Sequence, residues 1–204
     1  MSAVEVGRSS PPEHFGDLEE IDALRDGTRV RIRRVRPDDL AGLEAFVARL
    51  SPDSVESRYF SPVSASVATR EMLGTGKEPG RVAVVMETVG GTSPRIVGHA
   101  EYVRDPNGRP VAEAAFVIAD AFQGKGAGTL LLWHLARTAR SEGIRTLEAI
   151  TLRVNAAMLG VCFDAGYPCE VSVEDESARI ALDISSERHT ALCMLPKARP
   201  PTSF

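Results

Sequence analysis

The 204-residue sequence predicts a single α/β domain with a mixed, mostly antiparallel sheet of about seven strands flanked by helices. Short alternating or apolar runs of strand length are interleaved with longer runs of helical period. One strand-like run, Phe116-Val117-Ile118, empties into Gln123-Gly124-Lys125-Gly126-Ala127-Gly128-Thr129 and then into a helical run from Leu130 to Arg140. An Asn107-Gly108 pair marks a hairpin, because both residues tolerate positive φ.

The element order follows from local pattern. Residues 1 to 16 hold Ser9-Ser10-Pro11-Pro12 and little apolar periodicity, so they read as a tail. Leu18, Ile21 and Leu24 share a helical face, which predicts a short helix from Asp17 that Gly27 stops. From Thr28 to Val35 the chain alternates Val30, Ile32 and the stem of Arg34 against Arg29, Arg31 and Arg33, a half-buried strand with a solvated arginine face. Pro37-Asp38-Asp39 starts a helix carrying Leu40, Leu43, Phe46, Val47 and Leu50. Ser51-Pro52-Asp53 starts a second helix, and a third covers Val67 to Leu73. Strands follow at Arg81 to Val89 and Arg95 to Val103, and the hairpin leads into Val111 to Ile118. Counting outward from the Asn-Gly tip sets Tyr102 opposite Glu113. A long helix from about Gly126 to Glu142, a strand from Thr146 to Val154, a helix opened by Asn155 and a hairpin of Cys169 to Val173 with Ala178 to Ile184 complete the domain, about 17 to 185. Residues 186 to 204 read as a second tail.

Composition narrows the function. Hydrophobic residues make up 43% and charged residues 25%, the globular range. A net charge of −4 offers no basic face to nucleic acid, and no run of 18 apolar residues could span a bilayer. Cys162, Cys169 and Cys193 are too scattered for a disulfide framework or a zinc site, and the N-terminus lacks a signal-peptide pattern. The expectation is a cytoplasmic protein without a metal, monomeric or homodimeric.

Three alternating glycines between a strand and a helix present several main-chain N–H groups at the positive end of a helix dipole, an anion site best suited to phosphate. The spacing is neither that of the Walker loop nor that of the dinucleotide fingerprint. A second polar feature lies on the strand before it. By period two Glu113 shares a face with Val111, Ala115 and Val117, so its carboxylate projects from an apolar surface. Such a group is paired, neutralised or open to a cleft, and Arg33 and Arg95 are the candidate partners. Glu101 counts to the opposite face. His134 and Trp133 read as packing residues.

Read as Q-x-x-G-x-G, residues Gln123, Gly126 and Gly128 resemble the GNAT superfamily of acyl-CoA-dependent N-acyltransferases. The stretch from Asn155 to Tyr167, closing on Phe163-x-x-Gly166-Tyr167, matches as well. Leu24-Arg25-Asp26-Gly27 through Arg36-Pro37-Asp38-Asp39 looks like the opening of GNAT domains of bacterial protein-lysine acetyltransferases. The resemblance implies acetyl-CoA as cosubstrate, with its pyrophosphate on Gln123, Gly124, Lys125, Gly126, Ala127, Gly128 and Thr129. Its thioester arm would lie along Phe116, Val117 and Ile118, and Asn155 would add a contact. Glu113 takes the position of the family's general base, and Arg58, Tyr59 and Phe60 fall in the region that lines the acceptor side. Where many relatives have a tyrosine that protonates the leaving thiolate, this chain has Cys162. The implied function is acetyl transfer to a primary amine, preferably a protein lysine. The alternatives are a small amine acceptor, such as an amino acid or antibiotic, and a coenzyme-binding regulatory domain without turnover.

Overall fold

The computed structural model describes residues 19–74, 79–90, 93–152 and 155–186. Both predicted tails except residue 186, and with them His189 and Cys193, lie outside the described residues, as do 153 and 154. Eight strands form one sheet: β1 (Glu20–Ala23), β2 (Arg29–Arg34), β3 (Arg81–Thr88), β4 (Ile96–Arg104), β5 (Val111–Ile118), β6 (Thr146–Leu152), β7 (Cys169–Glu174) and β8 (Ser177–Asp183). Their order is β1-β2-β3-β4-β5-β6-β8-β7, and every pair is antiparallel except β5 with β6. The helices are α1 (Leu40–Val47), α2 (Pro52–Tyr59), α3 (Ala65–Leu73), α4 (Ala127–Ser141) and α5 (Ala156–Asp164).

The helix expected from Asp17 begins at residues 17 and 18, which lie outside the described residues, and over the rest of its length strand β1 takes its place. Its residues pair with β2 from Glu20↔Ile32 to Ala23↔Arg29, and Ile21 faces solvent. A helix of two turns gains too few hydrogen bonds to nucleate, whereas the open edge of β2 supplies a partner for each main-chain group. Glu20 also reaches across to α4, where it pairs with Arg137 and approaches His134 Nδ1 at 3.5 Å.

Helix α4 covers one face of the sheet. Gly98 marks the contact, since a Cβ there would stand 3.0 Å from Cδ1 of both Leu131 and Ile118. Leu131, Leu132 and Leu135 are fully buried in this layer, each worth about 1.5–3 kcal/mol of burial. The other face is covered by the helices before β3. There His99 Nε2 donates to the Met72 carbonyl of α3 at 3.0 Å, and Leu43 and Phe46 of α1 are fully buried.

The arginine face of β2 is not wholly solvated. Arg33 is buried and donates to both oxygens of Asp39 (2.7 and 2.8 Å) and to Glu87 (2.9 Å), an arrangement that fixes where α1 begins. Burial works against the Asp39 carboxylate, and the bonds from Arg33 and from the Arg36 N–H outweigh it, so its pKa is lowered.

The β4–β5 hairpin is displaced from its expected register. Asp105 Oδ1 accepts from the Asn107 N–H at 2.8 Å and Gly108 N–H bonds the Asp105 carbonyl, so Pro106 and Asn107 are the central residues. Only Gly108, at φ +76°, is left-handed here. Proline at the first central position and a carboxylate that closes the turn locally start it one residue early, and the ladder resumes only where the Asp105 N–H bonds the Val111 carbonyl, so the loop runs from Pro106 to Pro110 and is longer than the two residues expected. Val103, not Tyr102, therefore opposes Glu113, and Glu101 opposes Ala115. Glu101 and Glu113 consequently share a face, contrary to the count from sequence.

Candidate active site

Strands β5 and β6 are paired only over Val111↔Thr146, Ala112↔Leu147 and Glu113↔Glu148. Beyond Glu113 they diverge. The Ala119 N–H bonds the Val97 carbonyl on β4, so by the two-residue alternation of an antiparallel ladder the main chain of Val117 also faces β4. The main-chain groups of Ala114, Phe116 and Ile118 face the wedge instead. Of the three residues expected along the thioester arm, Phe116 and Ile118 present their amides there, and Val117 presents only its position.

The glycine turn closes the wide end of this wedge. Gly124 and Gly126 have φ of +71° and +88°, and Gly126 is the left-handed residue immediately before α4. Among the described residues, no main-chain acceptor is recorded for the N–H groups from Gly124 to Thr129; the first bond of the helix is Leu130 N–H to the Gly126 carbonyl. Gly128 is required for packing, since a Cβ would sit 2.8 Å from Val161 Cγ2 on α5. Ala127 and Thr129 are buried beneath the turn. Gln123 acts as a brace: its Nε2 donates to the Ser54 hydroxyl at 3.0 Å and to the Ile118 carbonyl at 3.1 Å. Lys125 Nζ pairs with Asp26 at 2.9 Å and stands 5.3 Å from the Phe122 ring centroid.

Helix α2 spans the front of the wedge. Its N-terminus is anchored by Ser51, whose side chain accepts from the Ser54 N–H and whose N–H and hydroxyl both bond Asp120 (3.0 and 2.6 Å). Burial of Asp120 is outweighed by these bonds, which lower its pKa. In the sequence Ser51 marks only a helix start, and Asp120 carries no local signal. At the other end Arg58 donates to Glu101 at 2.5 Å, and Arg81 binds the same carboxylate through Nε at 2.8 Å. Arg58 and Glu101 are thus a buried pair rather than free cleft residues. Tyr59 is half-buried; its hydroxyl donates to the Ala68 carbonyl at 3.4 Å, and burial pushes its pKa up to about 12. Phe60 caps α2 in the left-handed region (φ +58°) and is exposed.

Glu113 stands at the apex of the wedge and is exposed. It makes no ion pair among the described residues; Arg33, one of its expected partners, is occupied by Asp39 and Glu87. Glu148, beside it on β6, pairs with Arg179 at 3.1 Å. Asn155 Oδ1 accepts from the Met158 N–H at 3.0 Å and so caps α5. Cys162 is fully buried on that helix, and burial raises its thiol to about 12. His134 is buried too, and desolvation lowers its pKa. Trp133 Nε1 donates to the Ala165 carbonyl at 3.1 Å and ties α4 to α5.

The family model described as "Acetyltransferase (GNAT) family" matches residues 51–165. An acetyltransferase of Pseudomonas aeruginosa is 29% identical over 158 residues, which is 77% of this chain and 84% of that protein. Acetyltransferase Pat of Mycolicibacterium smegmatis is 28% identical over 135 residues, 66% of this chain but only 40% of Pat. Among solved structures, the GNAT domain of S. lividans PAT is 33% identical with a TM-score of 0.71, covering 85% of this chain and 99% of that one. A cAMP-binding acyltransferase from Mycobacterium smegmatis shares the fold at 22% identity and a TM-score of 0.56, over 82% of this chain and 48% of its own.

Proposed function

The chain belongs to the GNAT family of acetyltransferases, and from that premise we propose that it transfers the acetyl group of acetyl-CoA to a protein lysine, with Glu113 as general base. The catalytic domain on this reading is about residues 17 to 185. The observation that carries it is the wedge, with its glycine turn at one end and a solvent-facing carboxylate at the other.

The coenzyme diphosphate is held by the N–H groups of Gly124 to Thr129, where the α4 dipole favours negative charge. The main-chain N–H groups of Phe116 and Ile118 bond the extended arm, and Asn155, which opens α5, adds a contact. A lysine amine with pKa near ~10.4 must lose its proton before it attacks, at a cost of roughly 4.6 kcal/mol at neutral pH. Glu113 takes that proton, directly or through water. The amine nitrogen then attacks the thioester carbonyl, and a main-chain N–H on the open edge of β5 steadies the charge that develops on oxygen. Coenzyme A thiol has an acidity near ~8.5, so it departs as thiolate, the nitrogen gives up its second proton to water as the amide forms, and the thiolate takes a proton from solvent. Cys162, buried and held far less acidic than that thiol, is not needed.

The preference for a protein acceptor is supported by the exposure of Glu113, of Ile150 on the adjacent strand β6 and of Phe60 at the end of α2. It is supported also by similarity to acetyltransferase Pat and to the GNAT domain of S. lividans PAT, at the identities given above. Incubation with acetyl-CoA and lysine-containing proteins, read by acetyl-lysine detection, tests the reading. Protein labelling is expected; thiol release with small amines alone would transfer the assignment to a metabolite acceptor, and coenzyme binding without thiol release to any amine would make this a regulatory domain.

A further inference from the structure

The β1–β2 connection is fastened to the glycine turn. The Leu24 N–H bonds the Thr28 carbonyl, the Gly27 N–H bonds the Leu24 carbonyl, and the Arg25 N–H crosses to the Lys125 carbonyl at 3.0 Å. Asp26 Oδ1 accepts from the Thr28 N–H; hydrogen bonds from the Thr28 backbone and side chain, and then Lys125, bring its pKa down to about 2. The Arg25 side chain lies over the turn, so close that a Cβ on Gly126 would stand 3.4 Å from its Cγ and Nε. Its guanidinium ends 3.2 Å from Asp164, at the C-terminus of α5.

We propose that Arg25 is a coenzyme-phosphate ligand, brought from outside the family's glycine motif to form a further wall of the phosphate site. The inference rests on the glycine turn being the coenzyme site. A chain of net charge −4 does not attract a polyanion globally, so cations must be supplied at the turn itself. Two stand there, Lys125 and Arg25, and in the free protein each is paired with a carboxylate, Asp26 and Asp164. The Arg25–Asp164 contact is easily exchanged: the guanidinium side chain is 53% exposed, and ion pairs so open to water contribute little. A phosphate at the turn offers the same fork geometry in a stronger local field, since helix amides and guanidinium converge on it. Arg25 therefore swings from Asp164 to the ligand, while its own N–H keeps the turn attached to Lys125. The ligand chemistry is a phosphate oxyanion of coenzyme A, from either the diphosphate or the ribose 3′-phosphate.

Calorimetric titration of the wild type, Arg25→Ala and Arg25→Lys with coenzyme A and with 3′-dephospho-coenzyme A, each at two salt concentrations, tests the proposal. Arg25→Ala is expected to weaken coenzyme A binding by roughly 10-fold or more and to lower the salt slope by about 1, with part of the loss recovered by Arg25→Lys. A loss seen only with the 3′-phosphorylated ligand assigns Arg25 to the ribose phosphate, and an equal loss with both assigns it to the diphosphate. If Arg25→Ala binds both ligands as the wild type does, the role of Arg25 is overturned while the glycine turn stands. If the wild type binds neither, both fall. Gly126→Asp provides the reference for loss of the turn itself.

Discussion

Glu101 and Glu113 point to the same face of adjacent antiparallel strands, two ladder positions apart, with Glu101 opposite Ala115 and Glu113 opposite Val103. Glu101 is buried between Arg58 and Arg81, whereas Glu113 is exposed and unpaired among the described residues. One carboxylate is committed to the scaffold, which leaves the other for chemistry.

Glu113→Gln should lower kcat by about 10²- to 10⁴-fold with little change in coenzyme affinity, because the amide keeps the shape but accepts no proton. Steady-state rates from pH 6 to 9 and a coenzyme titration check this. A variant that keeps the wild-type rate throughout would remove Glu113 as base.

Glu101→Gln removes the charge that two largely buried arginines, Arg58 and Arg81, share. Loss of one member of a buried ionic cluster typically costs about 3–5 kcal/mol. Urea unfolding should show a drop of that order, and a change below about 1 kcal/mol would mean that the cluster is solvated in solution.

His99 is fully buried, and desolvation lowers its pKa from 6.5 to about 4. The unfolded chain therefore takes up a proton near pH 6.5 that the folded chain refuses until about pH 4. Stability from this group is complete above pH 6.5 and declines as pH falls toward 4, by about 3 kcal/mol in all. Unfolding free energies at pH 7 and 4.5 should differ less in His99→Gln than in the wild type by an amount of this order; identical pH dependence would contradict the assignment.

Cys162→Ala should leave kcat within about 3-fold and reduce stability by about 1 kcal/mol through the small cavity left in α5. The thiol, raised to about 12 by burial, should also resist thiol reagents in the native protein. A loss of turnover without loss of fold would instead identify it as the proton donor.

Much of this was legible locally. The run from β5 through the glycines to α4 was clear because a strand, positive-φ residues and an apolar helical stripe follow without interruption. The hairpin register was not, because the Asp105 carboxylate and Pro106 decide it in competition with Asn107-Gly108. The helix expected at Asp17 failed because Leu18, Ile21 and Leu24 carry a helical spacing, while what decides the segment is the open edge of β2, with which Glu20 to Ala23 pair. Glu101 misled for a different reason. Its arginines come from 43 residues upstream and 20 residues upstream, a distance at which spacing says nothing.

The divergence of β5 from β6 has a mechanical corollary. The two leaves of the sheet are stitched along their shared seam by only three residue pairs, Val111↔Thr146 to Glu113↔Glu148. An extended arm with amide groups, laid along Phe116 and Ile118, would lengthen that seam from the inside, so cargo loading should also stiffen β6, β8 and β7 against the remainder.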